Sequence, residues 1–167
     1  MHRGEEARIL GVMKRFWVLV ILLLTFFGLS DSLYLAQHQE SGTPLLCDVQ
    51  NLSGCNVVAN SSYSFLFGIP IAKYGVVFYG LLFILAALEL VIFDQFLRRL
   101  LQVISLFGVL GSLYFVFVQV FLIGAFCIYC FVSALIAFLI CICATFIEPV
   151  RVRTAYNNVH TTPFSTP

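Results

Sequence analysis

The stretch that decides the fold is Leu100–Ile147, LLQVISLFGVLGSLYFVFVQVFLIGAFCIYCFVSALIAFLICICATFI, which is apolar almost throughout. As a single helix it would be about 72 Å long, whereas the hydrocarbon core of a bilayer is ~30 Å thick. The stretch therefore predicts two membrane-spanning helices joined by a turn near Gly124. Cys127 and Cys130 form a C-x-x-C motif that opens the second of these helices at the membrane edge.

The rest of the chain has the composition of a membrane protein as well. Of its 167 residues, 61% are hydrophobic and only 10% are charged, and the mean hydropathy is +1.02. A soluble domain of this size could not bury so much apolar side chain. Two further apolar runs, Phe16–Ala36 and Gly75–Phe93, are each long enough to cross a bilayer. The predicted fold class is an all-α integral membrane protein, a four-transmembrane-helix bundle over residues 16–147.

The polar segments define the remaining organisation. Residues 1–15 are a short basic N-terminus, and residues 37–73 are a long loop rich in turn-forming Gly, Pro, Asn and Ser. Asp94–Arg99 is predicted to be a short turn, and residues 148–167 have the composition of a disordered tail. A cleavable signal peptide is the rival interpretation of the first apolar run, although no A-x-A-like cleavage site follows it.

Orientation follows from the basic residues, because Lys and Arg concentrate in short cytoplasmic segments. In a four-span topology only Lys73 falls on one side of the membrane. The others all fall on the opposite side: Arg3, Arg8, Lys14, Arg15, Arg98, Arg99, Arg151 and Arg153. Both termini are therefore predicted to be cytoplasmic, and the 37–73 loop shares the outer face with the C-x-x-C turn.

The loop carries two cysteines of its own, Cys47 and Cys55. Six cysteines in so short a chain indicate an oxidising compartment on at least one face. A C-x-x-C at the first turn of a helix places both sulfurs on one face, where the helix N-terminus favours the thiolate. The motif predicts a redox-active dithiol, with a structural disulfide or two buried thiols as the alternative. Cys141 and Cys143 lie deeper and are predicted to be small buried hydrophobes.

Two other classes of protein remain open at this point. A metal-binding protein could use the same four outer thiols, but Cys47 and Cys55 are too far apart for the usual zinc half-site, so no metal is predicted. A four-span scaffold without chemistry would explain the hydropathy but would leave the outer thiols unexplained.

The order of motifs along the chain resembles that of the vitamin K epoxide reductase family, four-helix membrane oxidoreductases. The residues that carry the resemblance are Cys47, Cys55, Val58, Ser61, Tyr63, Gly68-Ile69-Pro70, Gly75, Tyr79, Cys127 and Cys130. The resemblance covers most of the chain, from the first span to the fourth. Many bacterial members carry a thioredoxin domain fused at the C-terminus, and because this sequence stops at Pro167 a separate partner protein is expected.

The resemblance implies a quinone-dependent thiol oxidoreductase. Electrons would pass from a thioredoxin-fold, DsbA-like periplasmic partner to Cys47 and Cys55, then to Cys127 and Cys130, and finally to a quinone. The acceptor would be ubiquinone, menaquinone or a vitamin K-type quinone, and the location a bacterial inner membrane with the cysteine pairs on the periplasmic face. Reduction of a vitamin K or quinone epoxide as the main role is the alternative.

Further site residues are predicted around the two cysteine pairs. Ser61 is expected to donate a hydrogen bond near the quinone or to anchor the loop. Phe126, Tyr129 and Phe131 are candidates to line the quinone site, with lipid-facing or packing roles as the alternative. Asp31, an ionisable residue near the outer end of the first span, is a candidate for a proton or polar role. Glu89 is expected to pair with one of two arginines, Arg98 or Arg99.

Overall fold

The computed structural model describes residues 2–43, 45, 54–92 and 94–147, with side chains of the first helix described from Val12 onward. Cys47 and the predicted tail 148–167 lie outside the described residues. The elements follow in the order α1 (His2–Ser41), α2 (Gly54–Ala59), a 3-10 turn (Ser62–Ser64), β1 (Phe65–Leu66), β2 (Ile69–Pro70), α3 (Ile71–Ile92), α4 (Gln95–Phe117), a π-helical segment (Val118–Ile123) and α5 (Ile128–Ile147).

Helices α1, α3, α4 and α5 are each long and apolar enough to cross a membrane. The predicted fold class, a four-helix membrane bundle, is therefore confirmed. Helix α1 packs against α3 and α5, and α4 packs against α5 and α3. The buried core between them is aliphatic and includes Ile21, Leu82, Leu101 and Ile140.

The outer surfaces of the helices are apolar too. Phe26, Val77, Phe107 and Phe138 are all more than half exposed. In water such a surface would drive aggregation, whereas lipid tails are as apolar as these side chains and solvate them without cost.

The bundle has two chemically different ends. At one end, α1 finishes at Ser41, α3 begins at Ile71, and the chain passes from α4 into α5. The buried sulfurs of Cys55 and Cys127 belong to one cluster of packed side chains at this end. We call it the cysteine end.

Within the loop expected over residues 37–73, the described residues form more regular structure than the sequence indicated, and both neighbouring helices reach into it. Strands β1 and β2 pair antiparallel, with Phe65 opposite Pro70 and Leu66 opposite Ile69. Phe67 and Gly68 connect them with positive φ angles of 53° and 77°, the backbone of a type I′ hairpin.

At the opposite end of the bundle, Arg98 and Arg99 lie in the first turn of α4 and not in a loop. The Asp94 carboxylate caps this helix by accepting the Phe96 N–H at 3.2 Å. The predicted pairing of Glu89 is confirmed with Arg98, whose Nε lies 3.4 Å from Glu89 Oε1. Because Glu89 is almost fully buried, removing either partner of such a pair typically costs about 3–5 kcal/mol of stability.

The turn between α4 and α5 falls at Gly124, as the sequence predicted. Gly124 has a φ of 66° and ends the π-helical segment, with its N–H bonded to the carbonyl of Gln119. A left-handed residue of this kind reverses the chain at little cost only when it has no Cβ.

Candidate functional site

The C-x-x-C motif lies at the start of α5. Cys127 immediately precedes the helix, and Cys130 is in its first turn. The Cys130 backbone N–H donates to Cys127 Sγ at 3.4 Å, so the sulfur accepts one of the N–H groups that a helix start leaves unpaired. Both thiols are free, and Cys127 is buried.

This arrangement favours the thiolate of Cys127. Its pKa is lowered below the ordinary value for a thiol, chiefly because the Cys130 thiol donates a hydrogen bond to it. The backbone N–H groups of Cys130 and Tyr129 act in the same direction, while burial opposes them. Since the thiolate is the nucleophilic form, Cys127 is the more reactive sulfur of the pair.

The loop cysteine Cys55 lies in the same buried cluster as Cys127. It lies in α2, is 1% exposed and is disulfide-bonded. Cys55, Val58 and Leu45 pack with Cys127 in one buried cluster. The structure therefore brings together two of the predicted redox cysteines that are 72 positions apart in the sequence.

Short polar contacts hold α2 in this position. The Gln39 side chain donates to the Ala59 carbonyl at 2.7 Å, and Asn56 Oδ1 accepts the Leu45 N–H at 3.2 Å. At the C-terminal end of α2, the Ser61 hydroxyl donates to the Val58 carbonyl at 2.8 Å. The Ser61 hydroxyl therefore pairs with a carbonyl of the last turn of α2.

A cavity of about 260 Å³ opens beside the C-x-x-C motif, between α1, α3, α4 and α5. Cys127 and Cys130 both line it. Its walls are largely apolar, with Phe78 and Phe115 among them. Polar side chains, among them Tyr79, Gln119 and Ser133, are set into these walls, and apolar walls with such polar groups are the usual make-up of a small-molecule site.

Tyr79 and Ser133 form one polar contact in the cavity wall. The Tyr79 hydroxyl donates to the Ser133 carbonyl at 2.7 Å and lies 3.0 Å from the Ser133 hydroxyl. Tyr79, which the sequence marked as part of the family pattern, thus joins α3 to α5 next to the dithiol.

The cavity lining includes none of Ser61, Phe126, Tyr129 and Phe131, the residues predicted to bind quinone. The rings of Phe126 and Phe131 pack against each other at 5.4 Å, and each is 45% exposed. Tyr129 packs against Tyr34, with ring centroids 5.3 Å apart.

Asp31 lies near the site without lining the cavity. Its Oδ2 atom is buried and has no hydrogen-bond partner among the described residues. The carboxyl group is close enough to interact electrostatically with Cys127 and Cys130. The charge of the Asp31 carboxyl group therefore acts on both sulfurs of the dithiol.

The two inner cysteines are elsewhere. Cys143 is buried in the main aliphatic core, and Cys141 is half-buried beside it on α5. Neither lines the cavity. Across residues 2–43, 45, 54–92 and 94–147, no group of three or more His, Cys, Asp or Glu side chains is arranged to hold a metal ion.

Gln119 is the residue of the site that sequence reasoning missed. It is 4% exposed, lines the cavity, and its Oε1 accepts the Cys127 N–H at 3.3 Å. The sequence feature that could have identified Gln119 is its isolation. It is an amide in the middle of an apolar run, eight residues before Cys127. A polar side chain in such a run has to find a partner inside the protein.

Two comparisons with known proteins give different results. A search of curated protein sequences finds no match. A scan of protein-family models matches residues 19–145 to the Vitamin K epoxide reductase family. The matched region begins in α1, ends in α5 and contains both Cys55 and the C-x-x-C motif, and we conclude that the chain belongs to the vitamin K epoxide reductase family.

Proposed function

We propose that the chain is a quinone-dependent thiol oxidoreductase that reoxidises a thioredoxin-fold, DsbA-like partner. Electrons would pass from Cys47 and Cys55 to Cys127 and Cys130, and then to a quinone. Family membership supports the coarser statement, a membrane oxidoreductase acting on quinones or their epoxides. The observation that carries the finer proposal is the position of Cys127, which packs with Cys55 on one side and lines the cavity on the other.

The cavity fits a quinone ring by its chemistry. A quinone head group is planar and largely apolar with two carbonyl oxygens, so it requires apolar walls and a few hydrogen-bond donors. The walls supply Phe78 and Phe115, and Tyr79 and Gln119 are polar groups within reach. The cavity volume of about 260 Å³ is close to the lower limit of ligand pockets, ~300 Å³. We therefore assign ring binding to this cavity.

The first half of the reaction uses sulfur chemistry alone. A Cys55 thiolate attacks Cys127 in the oxidised C-x-x-C pair, a Cys55–Cys127 bond forms, and Cys130 leaves as the thiolate with the bonding electron pair. The second loop thiol then resolves the Cys55–Cys127 bond, which leaves the loop oxidised and the C-x-x-C pair reduced. An oxidised Cys55 beside free Cys127 and Cys130 thiols corresponds to this product state.

In the second half the reduced dithiol is oxidised and the Cys127–Cys130 bond forms again. The residues prepare this step because the Cys127 pKa is lowered and the two cysteines are held within hydrogen-bonding distance. Oxidation of the dithiol releases two electrons and two protons, which a bound quinone accepts as it becomes the hydroquinone. Asp31, with a buried and unpartnered carboxylate oxygen, is our candidate for holding a released proton.

We assign the exchange with the soluble partner protein to the two loop cysteines, Cys47 and Cys55. We propose Cys47 as the disulfide partner of Cys55 and as the thiol that meets the soluble protein. If the partner resembles DsbA, with a potential of about −120 mV, its reoxidation requires a more oxidising acceptor than glutathione, and a quinone meets that requirement.

The orientation proposal places the cysteine end outside the cytoplasm. It rests on the basic residues, because Arg98 and Arg99 lie at the opposite end of the bundle, whereas Lys73 lies at the cysteine end, where it pairs with Glu40. A periplasmic face of a bacterial inner membrane provides both an oxidising environment and quinones.

An anaerobic assay with purified protein tests the proposal directly. A reduced DsbA-like protein is the donor, ubiquinone and menaquinone are separate acceptors, and a quinone epoxide is a third. We expect quinone reduction that Cys127→Ser abolishes and Cys141→Ala leaves intact. Turnover of the epoxide alone would instead assign epoxide reduction as the main role, and zinc bound stoichiometrically to the four outer thiols would reject the redox proposal.

A further inference from the structure

The chain between α4 and α5 contains a second type of helix. Residues Val118–Ile123 are wound as a π-helix, a conformation that is rare and is found frequently at functional sites. Gln119 is the second residue of this segment, and its carbonyl accepts the N–H groups of both Gly124 and Ala125. These two hydrogen bonds hold the backbone of Gln119 beside the Gly124 turn, which leads to the dithiol.

The side chain of Gln119 bonds to one cysteine of the motif and shares a cavity wall with the other. Its oxygen accepts the Cys127 N–H at 3.3 Å, and Gln119 lines the same cavity as Cys130, to which its side chain can hydrogen-bond. An amide side chain has one acceptor oxygen and one NH₂ donor group. With the oxygen used by Cys127, the NH₂ group is the part of the side chain that can donate to Cys130.

We propose that Gln119 is a positioning residue that holds both ends of the C-x-x-C pair and donates a hydrogen bond to the Cys130 thiolate. The proposal rests on the thiol-exchange function above and specifies how one of its steps is supported. When the Cys55 thiolate attacks Cys127, the Cys127–Cys130 bond breaks and Cys130 leaves with the electron pair. The Gln119 NH₂ group stabilises that leaving thiolate, which is half-buried in the cavity wall.

Burial makes this contribution large. Gln119 is 4% exposed, and a hydrogen bond to a charged group is worth about 1.5–3 kcal/mol, more than one between neutral groups. In the reduced pair the two hydrogen-bonded sulfurs share one negative charge, so a donor to Cys130 stabilises the reduced pair relative to the disulfide. Loss of the amide should therefore make the Cys127–Cys130 disulfide harder to reduce.

Two substitutions separate the acceptor of Gln119 from its donor. Gln119→Glu keeps an oxygen for the Cys127 N–H but replaces the NH₂ group by a carboxylate oxygen that faces the thiolate. Gln119→Leu removes both. The matched control is Gln102→Leu, because Gln102 is on the same membrane span, Gln95–Ile123, and donates to the α5 backbone, at Ala144, from the other half of the bundle.

The measurement is the equilibrium constant of the Cys127–Cys130 couple against glutathione, in quinone-free protein whose loop cysteines are replaced by alanine. We expect Gln119→Leu to shift this constant at least tenfold towards the disulfide, which is about 30 mV. Gln119→Glu should shift it further, and Gln102→Leu should leave it within a factor of two. Retained thermal unfolding temperature in Gln119→Glu will show that the shift is not a folding defect.

The outcomes distinguish this inference from the proposed function. An unchanged constant in Gln119→Glu and Gln119→Leu overturns the role of Gln119, whether or not the protein reduces quinone. A shifted constant in a protein that reduces no quinone supports the role of Gln119 and rejects quinone as the acceptor.

Discussion

Gly54 lies directly against the backbone of Phe126. A Cβ at position 54 would be 2.8 Å from the Phe126 nitrogen and closer still to its carbonyl oxygen, distances that real side chains do not adopt. Gly54 precedes Cys55 and Phe126 precedes Cys127 in the chain. The close approach of these two backbones is therefore what brings the two sulfurs into one cluster.

The first prediction follows from this contact. Gly54→Ala should push α2 away from the turn before α5 and cost about 1–3 kcal/mol at this interface. In a Cys130→Ala background, where a Cys55–Cys127 bond should accumulate, the added methyl should lower its yield roughly tenfold. Non-reducing peptide mapping measures the yield.

Gly80→Ala is the control, because a Cβ at position 80 meets no atom within 4 Å. It should leave the yield unchanged. An equal yield in Gly54→Ala would mean that α2 does not need this contact to present Cys55.

The second prediction concerns the Cys127 thiolate. The hydrogen bond from Cys130 is the largest cause of the lowered Cys127 pKa, so Cys130→Ala should raise that pKa. Cys130→Ser keeps a donor and should raise it less. The thiolate fraction of Cys127 at a given pH should thus fall in the order wild type, Cys130→Ser, Cys130→Ala.

The rate of alkylation by a small reagent between pH 6 and 10 measures this fraction, in protein without the other cysteines. Identical pH midpoints in the serine and alanine variants would show that the neighbouring donor does not control Cys127.

The third prediction separates the outer from the inner thiols. Cys127→Ser and Cys130→Ser should each abolish quinone-coupled turnover, since both side chains line the cavity. Cys141→Ala and Cys143→Ala should leave turnover within a few-fold, because both side chains lie away from it. Loss of turnover in a correctly folded Cys141→Ala protein would assign the inner thiols a role in the chemistry.

The fourth prediction concerns the order of electron flow. Cys55→Ala should accumulate a mixed disulfide between Cys47 and the soluble partner, because an exchange intermediate persists when its resolving thiol is removed. Mass spectrometry after non-reducing digestion identifies the bond. A Cys47→Ala protein that still turns over, with Cys55 bound to the partner, would reverse the assigned order.

The fifth prediction concerns topology. A reporter active only outside the cytoplasm should be active when fused after Gly42 or at Gly124, both at the cysteine end, and inactive after Arg99. The expectation rests on the excess of arginine at the opposite end. Activity after Arg99 would place the cysteine pairs in the cytoplasm.

The sequence predicted the four spans, the turn at Gly124 and the location of the C-x-x-C motif, because run length and turn residues are local signals. It placed the ends of the helices less well. Helix α3 begins at Ile71 and not near Gly75, since a β-hairpin and an ion pair from Lys73 support its first turn. Contacts of this kind join residues that are distant in the sequence, so no local sequence pattern predicts where the helix begins.

The cavity could not be predicted for a different physical reason. A helix that is apolar on every face gives no periodic signal that separates its inward face from its lipid-facing one. Aromatic residues next to the motif, such as Phe126 and Phe131, were therefore expected to line the site, whereas the walls come from Phe78 and Phe115, on other helices. A polar residue isolated in an apolar run, such as Gln119, would have been the more reliable guide.

The position of Cys127 between α2 and the cavity also has a kinetic consequence. A sulfur atom holds one disulfide partner at a time, so a Cys127 bonded to Cys55 cannot simultaneously be bonded to Cys130. Under the proposed relay, the two substrates are then processed in alternation, and the soluble thiol protein leaves before the lipid-borne acceptor is reduced. Initial-rate plots at several acceptor concentrations should accordingly give the parallel lines of a ping-pong mechanism.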